Sequence, residues 1–262
     1  MPASYTHYSF GEEVYKRLPE NLIEVIDKCK DAYYIGLNGP DILFYYKPLT
    51  KNPIKAYGHE LHEEIAESFF QGAKNYIFKN KDDICLSYIL GFLCHFALDS
   101  TCHPYIGKAQ KASGFSHGFI EAELEGAMME RNGVSPQRQN AGAHINANKE
   151  VAKHICNLYQ GLEEVHIYKC LKSVRFYNSL LTCENEVKRK FIKGVLKKIK
   201  GGDSFSDMII NLHPDPKAKD IIINLVNLYE KALEEAIQLI SAYYTTIITD
   251  SKINKGFNKN FL

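Results

Sequence analysis

His95, Asp99 and His103 stand four residues apart in the stretch DICLSYILGFLCHFALDSTCH, which runs from Asp83 to His103. On a helix such neighbours share a face, with Cβ atoms about 5–6 Å apart, so two imidazoles and a carboxylate can approach one ion or a pair of ions. From Ile84 to Leu98 the intervening side chains are almost all apolar, the pattern of a helix buried on every side. Charge placed there must be paired or bound to a metal. A lone histidine on an apolar face is ordinarily a hydrogen-bonded core residue. The combination HxxxDxxxH inside such a helix is much rarer, and it points to the central wall of a metal site. Ser87 and Gly91 continue the same slowly drifting stripe upstream.

Further donors flank this stretch. His117 and Glu121, in HGFIE, repeat the four-residue spacing and lie only fourteen residues beyond His103. HxxxE alone is weak, since solvated helices present it often, but two antiparallel helices joined by one turn would set His103 against His117 and Glu121. Glu125 continues that face, either behind the ligands or in solvent. Upstream, GHELHEE offers His59 and His62. His62 is preferred, being on the apolar side with Leu61 and Ile65, and His59 is the alternative. Asp41 follows Gly39 and Pro40; it reads either as a turn residue or as a carboxylate aimed into a cleft. Histidine with carboxylate oxygen and no clustered thiolate favours zinc over magnesium or calcium.

The elements that must position these residues read as helices. Pro19 opens PENLIEVIDKC in a first-turn position, after a shorter helical piece beginning near Phe10, and DAYYIGLNG stops at Gly39 and Pro40. ILFYYKPLTKNP reads as an aromatic loop. A helix is expected over 59–79 with Leu61, Ile65, Phe69, Ala73 and Tyr76 inward, and the buried helix is expected to end at His103, because proline does not continue a helix. Its apolar run is too short to span a bilayer. Further helices are expected over 117–130, 149–176, 186–200 and 220–248, with few strand signals and no internal repeat. The fold class is therefore all-α, a multi-helix bundle in a single domain, 1–262.

Composition sets outer bounds. The chain has 262 residues, 45% hydrophobic and 24% charged, which is ordinary globular composition. A net charge of +1 leaves no electrostatic footprint of nucleic-acid binding. Seven cysteines without a CxxC pair suit a reduced compartment. No basic segment followed by an apolar one opens the chain, so no signal peptide is visible, and a cytoplasmic location is expected unless another export route exists.

The string GPD, then LH in a helix, then HFALDSTCHP, then HGFIEAE resembles the zinc-dependent phospholipase C family, which includes the bacterial phosphatidylcholine-hydrolysing enzymes and the catalytic domain of clostridial alpha-toxin. The resemblance runs from about His7 to Glu121. It implies an all-helical fold holding two zinc ions and, where the N-terminus completes it, a third. By that resemblance Asp41, His62, His95 and Asp99 are the ligands of one zinc and His103, His117 and Glu121 those of a second, with Asp99 bridging toward the third. The secreted members hold the third ion with an N-terminal tryptophan and a nearby histidine. This chain has no tryptophan; His7 resembles the nearby histidine, and loss of Met1 would leave the Pro2 amine as a substitute, at a shorter spacing.

The implied reaction is phospholipase C cleavage of a phospholipid to diacylglycerol and a phosphorylated head group by a metal-activated water, with Asp41 as the catalytic carboxylate that orients the water or takes its proton. Tyr33, Tyr34, Phe44, Tyr45 and Tyr46 either line a pocket for a choline-like head group through cation–π contact or pack in the core; Tyr45 and Tyr46 are the substrate-binding candidates. The basic, amphipathic segment Lys188–Lys200 reads as a peripheral membrane contact or as a solvated surface helix. Two other functions share these residues. One is a nuclease or nucleotidase of the P1 type, which has a similar trinuclear zinc fold; the other is a metal-binding helical protein without activity.

Overall fold

Helices make up nearly all the regular structure of the computed structural model, which describes residues 4–199, 201–253 and 255–262. In chain order they are α1 (Ser4–Tyr15), α2 (Glu20–Lys28), α3 (Lys30–Gly36), α4 (Pro53–Glu63), α5 (Glu67–Asn80), α6 (Asp83–Ser113), α7 (His117–Arg131), α8 (Lys149–Ile155), α9 (Glu164–Leu181), α10 (Glu186–Leu196), α11 (Gly202–Asp207) and α12 (Lys219–Thr249). Short 3-10 turns occupy Gly39–Tyr45, Cys156–Leu158, Pro216–Ala218 and Lys255–Phe257, and no strand occurs among the described residues. The all-α class is as the sequence predicts.

Everything is arranged round α6. The Asp82 side chain caps its first turn by accepting from the Cys85 N–H at 2.9 Å, and Gly114 ends it in the left-handed region at φ 77°, which glycine adopts without steric cost. Between these caps Cys85–Asp99 is buried without a break. α3 and α12 make the largest contacts with it, and α1, α2, α5, α7 and α8 complete the jacket. The upstream half of the predicted stripe is what lets α3 come so close. A Cβ on Gly91 would stand 2.1 Å from the Tyr33 carbonyl oxygen, and one on Gly36 2.0 Å from that of Tyr88. Ser87 donates its hydroxyl to the Cys29 carbonyl at 2.9 Å. The downstream half, His95 to His103, is thereby left facing the other elements.

α12 contributes Leu225, Tyr229, Ala232, Leu233, Ala236, Ile240 and Tyr243 to the core at three- and four-residue spacing, as a helix with one buried face must. The chain after it folds back, burying Phe257 and Phe261 against Phe96. Each such fully buried ring is worth roughly 1.5–3 kcal/mol of transfer free energy.

Several boundaries differ from the sequence reading. α6 does not end at His103 but continues through Pro104 to Ser113. Pro104 withdraws the N–H that would bond the Ser100 carbonyl, yet Pro104 is exposed, so water can take that bond. At 31 residues α6 is also long and apolar enough to cross a bilayer by length and composition, contrary to expectation, but 83% of its apolar window is buried inside the protein, as in a core helix. The helix expected over 59–79 is two helices, α4 and α5, broken at Glu64–Ala66, and Ile65 points outward at 57% exposure. The break is stabilised from afar: the Ala66 N–H donates to the Lys259 carbonyl, and the His62 carbonyl accepts from the Phe261 N–H. The helix expected over 149–176 is divided by Gly161, at φ 74°, after which Glu163 and His166 form the capping box that opens α9. α10 stops at Leu196 rather than at Lys200, which lies outside the described residues. The aromatic segment after Pro40 is a 3-10 turn whose residues Gly39–Tyr45 are all buried.

Candidate metal centre

Five imidazoles turn their Nε2 atoms toward three carboxylates beside the downstream half of α6. From α6 itself, His95 Nε2 lies 3.1 Å from Asp99 Oδ2. α1 brings His7, whose Nε2 lies 3.2 Å from Asp99 Oδ1 and whose ring stacks on His95 at 4.2 Å. The last turn of α4 brings His62, with Nε2 at 3.1 Å from Asp41 Oδ1 and 3.9 Å from Asp99 Oδ2. His103, a turn further along α6, approaches Asp99 Oδ1 at 3.8 Å and Glu121 Oε1 at 3.4 Å. α7 supplies both His117 and Glu121, 3.0 Å apart. The spacing is the four-residue helical interval in each same-helix pair.

These atoms form three groups, each with donors within 4.8 Å of one another: His7, His95 and Asp99; Asp41, His62 and His95; and His103, His117 and Glu121. His95 belongs to two of them. All members are buried except His117, whose side chain is 38% exposed, so the cluster opens to solvent on that side.

Local backbone explains how each donor arrives. Gly39 sits at φ 48°, and a Cβ there would stand 2.3 Å from the His95 ring, so only glycine lets the Gly39–Tyr45 turn pass over His95 and deliver Asp41. Asn52 caps α4, accepting from the Lys55 N–H at 2.9 Å, with Pro53 in its first turn; this sets the phase that buries His62 and leaves His59 exposed, against Phe44 at 4.4 Å. His59 belongs to none of the three groups. The N-terminus of α1 is pinned by Glu125, whose carboxylate accepts from the Tyr5 N–H at 3.0 Å and from the Thr6 N–H and hydroxyl at 2.8 Å each. Anions are favoured at that end of a helix. Glu125 is thus buried, not solvated, and it is what places His7. The Pro2 amine, expected to complete a third metal site, lies outside the described residues.

Charge in the cluster is divided sharply. Burial alone would raise the Asp99 carboxyl, but His103, His95 and His7 outweigh it and hold the group well below the usual carboxylate range. His62 and His95 act in the same lowering direction on Asp41, and His117 and His103 on Glu121, against burial in each case. Burial pulls His103 down, and Asp99 and Glu121 more than compensate, raising it to about 9. At His95 burial wins, and the imidazole is held below its ordinary value.

Neutral His95 carries an informative mismatch. His95 Nε2 and Asp99 Oδ2 are 3.1 Å apart without forming a hydrogen bond, and neither they nor His95 Nδ1 have another partner, although all are buried. Such orphaned groups cost roughly 1–3 kcal/mol each. A cation between them would satisfy both, and the nitrogen and oxygen donors, without a thiolate, suit zinc. Two of the rings are also held in the required tautomer. His62 Nδ1 donates to the Gly58 carbonyl and His103 Nδ1 to the Phe261 carbonyl, each at 2.7 Å, leaving Nε2 of each ring as the atom that would exchange its proton for an ion.

The aromatic candidates divide between core and surface. Tyr33 is fully buried and Tyr45 nearly so, its hydroxyl accepting from Asn178 Nδ2 at 3.2 Å. Tyr46 is half-buried, 5.6 Å from His166. Phe44 packs on both His59 and His62, and His59 also lines an open groove of about 700 Å³ with Pro48, Leu49, Lys51 and Lys55 among others. Sequence reasoning missed Phe261 and left Glu125 undecided. Neither carries a local signal, since each acts on a residue more than a hundred positions away.

Searches among curated proteins and among solved structures gave no match. A family model does match, that for zinc dependent phospholipase C, over residues 6–201. Together the match and the three donor groups support a metal-dependent function of the phospholipase C type, with zinc as the metal. Because the match takes in every described donor and most of the chain, this protein belongs to the zinc-dependent phospholipase C family.

Proposed function

We propose that the protein hydrolyses a phosphodiester by phospholipase C chemistry, releasing diacylglycerol and a phosphorylated head group from a phospholipid. The observation that carries this reading is the convergence of five Nε2 atoms on three buried carboxylates, open to solvent only at His117 within the cluster. Zinc bound by these residues supplies charge to polarise the phosphoryl group and lowers the pKa of a water to about 7.

We assign the ligand roles to His7, Asp41, His62, His95, Asp99, His103, His117 and Glu121. Asp41 has a second role. Held ionised beside His62, it can accept the proton of the water that attacks phosphorus, while the bond from phosphorus to the glycerol oxygen breaks and that oxygen takes up a proton from solvent. The half-exposed His117 marks the side from which a diester enters. The groove beside His59, with apolar Pro48 and Leu49 and cationic Lys51 and Lys55, suits the lipid portion, and half-buried Tyr46, whose carbonyl accepts from Asn52 Nδ2, is the aromatic available to a head group.

α10 supports a lipid substrate in a modified form. Ile192 and Leu196 face inward, while Val187, Phe191 and Val195 form an exposed stripe at 80%, 68% and 41%, with Lys190, Lys197 and Lys198 exposed around it. Apolar side chains flanked by lysines suit the surface of an anionic bilayer; sedimentation with anionic vesicles should fall for Phe191→Asp and not for Ile223→Asp, another exposed apolar position.

The test of function is zinc content by plasma mass spectrometry with turnover of p-nitrophenylphosphorylcholine, phospholipid vesicles and single-stranded DNA in the same sample. Zinc with lipid hydrolysis is the expected result. Turnover of DNA in place of lipid overturns the substrate, and zinc without turnover of any diester overturns the enzyme.

A further inference from the structure

Residues 255–261 lie outside the part of the chain that the family model matches, yet they touch the candidate metal centre more directly than most of that part does. The Phe261 carbonyl accepts from His103 Nδ1 at 2.7 Å. The Phe261 N–H donates to the His62 carbonyl at 3.2 Å, and the Lys259 carbonyl accepts from Ala66 at 3.0 Å. The Phe261 ring, 1% exposed, packs 5.3 Å from the His62 ring and 6.0 Å from that of His95, and against Phe96 at 4.9 Å. One residue therefore reaches three of the five imidazoles.

His103 depends on this contact in a way the others do not. His62 takes its Nδ1 partner from Gly58 on its own helix, and His7 and His95 have none at Nδ1. The partner of His103 comes from 158 positions away, on a segment held near the site by the ring of Phe261, by two main-chain bonds and by the Asn260 amide on the Glu63 carbonyl at 3.3 Å, and further out by Phe257 packed on Phe70 and Phe96 and by the Lys259–Glu235 pair. We propose that Phe261 is a positioning residue of the metal centre, and that residues 255–261 form a strap that sets the affinity of the His103, His117 and Glu121 group for its ion. The strap keeps the proton of His103 on Nδ1 and fixes the ring rotation, so that Nε2 stays turned toward Glu121 and Asp99. It rests on the reading that these imidazoles bind zinc.

The magnitude follows from the behaviour of such partners in metal sites, whose removal typically costs about 10–100-fold in metal affinity. Four variants test it: deletion of residues 260–262, Phe261→Ala, Phe261→Leu, and Ile26→Ala, the last a fully buried α2 residue that lowers stability away from the strap. Zinc affinity is read by chelator competition, ligand geometry by the visible absorption of the cobalt(II)-loaded protein, the His103 tautomer by long-range nitrogen–proton correlation in the zinc-loaded protein, and folding by thermal denaturation. The deletion and Phe261→Ala should each lose about 10–100-fold in affinity for one ion, with an altered cobalt spectrum and loss of the fixed Nδ1–H tautomer. Phe261→Leu, which still fills the pocket, should recover most of it. Ile26→Ala should lower the melting temperature and leave affinity and spectrum alone.

Unchanged affinity and spectrum in a folded Phe261→Ala or deletion variant would overturn the strap, as would an equal affinity loss in Ile26→Ala. A wild-type protein that takes up no zinc fails at the first titration and overturns the metal reading itself, which keeps the two failures apart.

Discussion

Replacing Asp99 by asparagine keeps the shape of the side chain and removes one charge from the middle of the cluster. Four imidazole nitrogens, those of His7, His62, His95 and His103, lie between 3.1 and 3.9 Å from its carboxylate oxygens. Two unit charges about 4 Å apart interact by about 4 kcal/mol at an effective dielectric of about 20, and an ion among these donors is at comparable range. A divalent ion doubles that figure, and incomplete exclusion of water reduces it. A loss of at least about 4 kcal/mol, or roughly a thousandfold in affinity, is therefore expected for an ion held by the His7, His95 and Asp99 group. The amide also presents N–H donors to rings that need an acceptor or a metal, which adds to the cost. In contrast, Glu121 and His117 form their own pair at 3.0 Å, so the ion of the His103 group should survive more weakly held. The assay is zinc retained per chain during dialysis against a graded series of chelators, with His117→Ala alongside. Asp99→Asn should lose the zinc assigned to the His7, His95 and Asp99 group and nearly all diester hydrolysis, and His117→Ala should lose only that assigned to the His103, His117 and Glu121 group. An Asp99→Asn protein that keeps the full wild-type zinc content through the chelator series would refute the central role given to this carboxylate.

Stability of the metal-free protein should fall as pH rises from about 6.5 to 9. His103 is raised to about 9 and His62 is raised as well, by Asp41 and Asp99 against burial, so the stability they contribute is complete below the unfolded imidazole value of about 6.5 and is lost as each deprotonates in the folded chain. His95 and His144 are held low by burial and oppose this only below about 6.5, since above it they are neutral folded or unfolded. Zinc replaces the proton on these two rings, so the loaded protein should decline less, keeping only the part that His154, raised by Asp82, and the thiols raised by burial add with or without metal; thermal denaturation at pH 6, 7.5 and 9 with and without zinc decides it, and profiles of equal slope would count against the charge assignment. Gly91→Ala places its Cβ 2.1 Å from a backbone oxygen that cannot swing aside, so about 1–3 kcal/mol of overpacking strain is expected, measured as a lowered denaturation midpoint. Gly72→Ala, in α5 with open space around it, should instead gain about 0.4–1 kcal/mol.

How much of this centre could be read from the chain follows from how far apart its parts lie. His95, Asp99 and His103 share α6, and His117 and Glu121 share α7, so their grouping is a matter of helical period and is visible in the spacing. Asp41 could be singled out by the turn that Gly39 and Pro40 signal, and the structure adds that Gly39 takes a positive φ against the His95 ring. Helix ends were less legible. Pro104 stops a helix only where the carbonyl it strands has no other donor, and at this exposed position water has access to it. The break between α4 and α5 has no glycine or proline at all; it exists because the segment near Lys259 and Phe261 offers the bonds that an unbroken helix would have made internally.

The same reasoning separates the ligands from what holds them. A ligand pair on one helix is selected by spacing and leaves a pattern, whereas an anchor needs only to arrive. Glu125 reaches the α1 N-terminus across 119 positions, and Phe261 reaches His103 across 158, through main-chain atoms in the second case, which any residue possesses. A carbonyl that fixes an imidazole tautomer leaves no trace in residue type, and only the apolar ring that pins it in place is written in the sequence. The precision of the centre, with five nitrogens facing three carboxylates, is therefore set largely by contacts of high sequence separation. The Phe261 contact forms only when α12 and the chain beyond it have packed on α6, so the affinity of the His103, His117 and Glu121 group should develop late in folding, after the donors themselves have become helical.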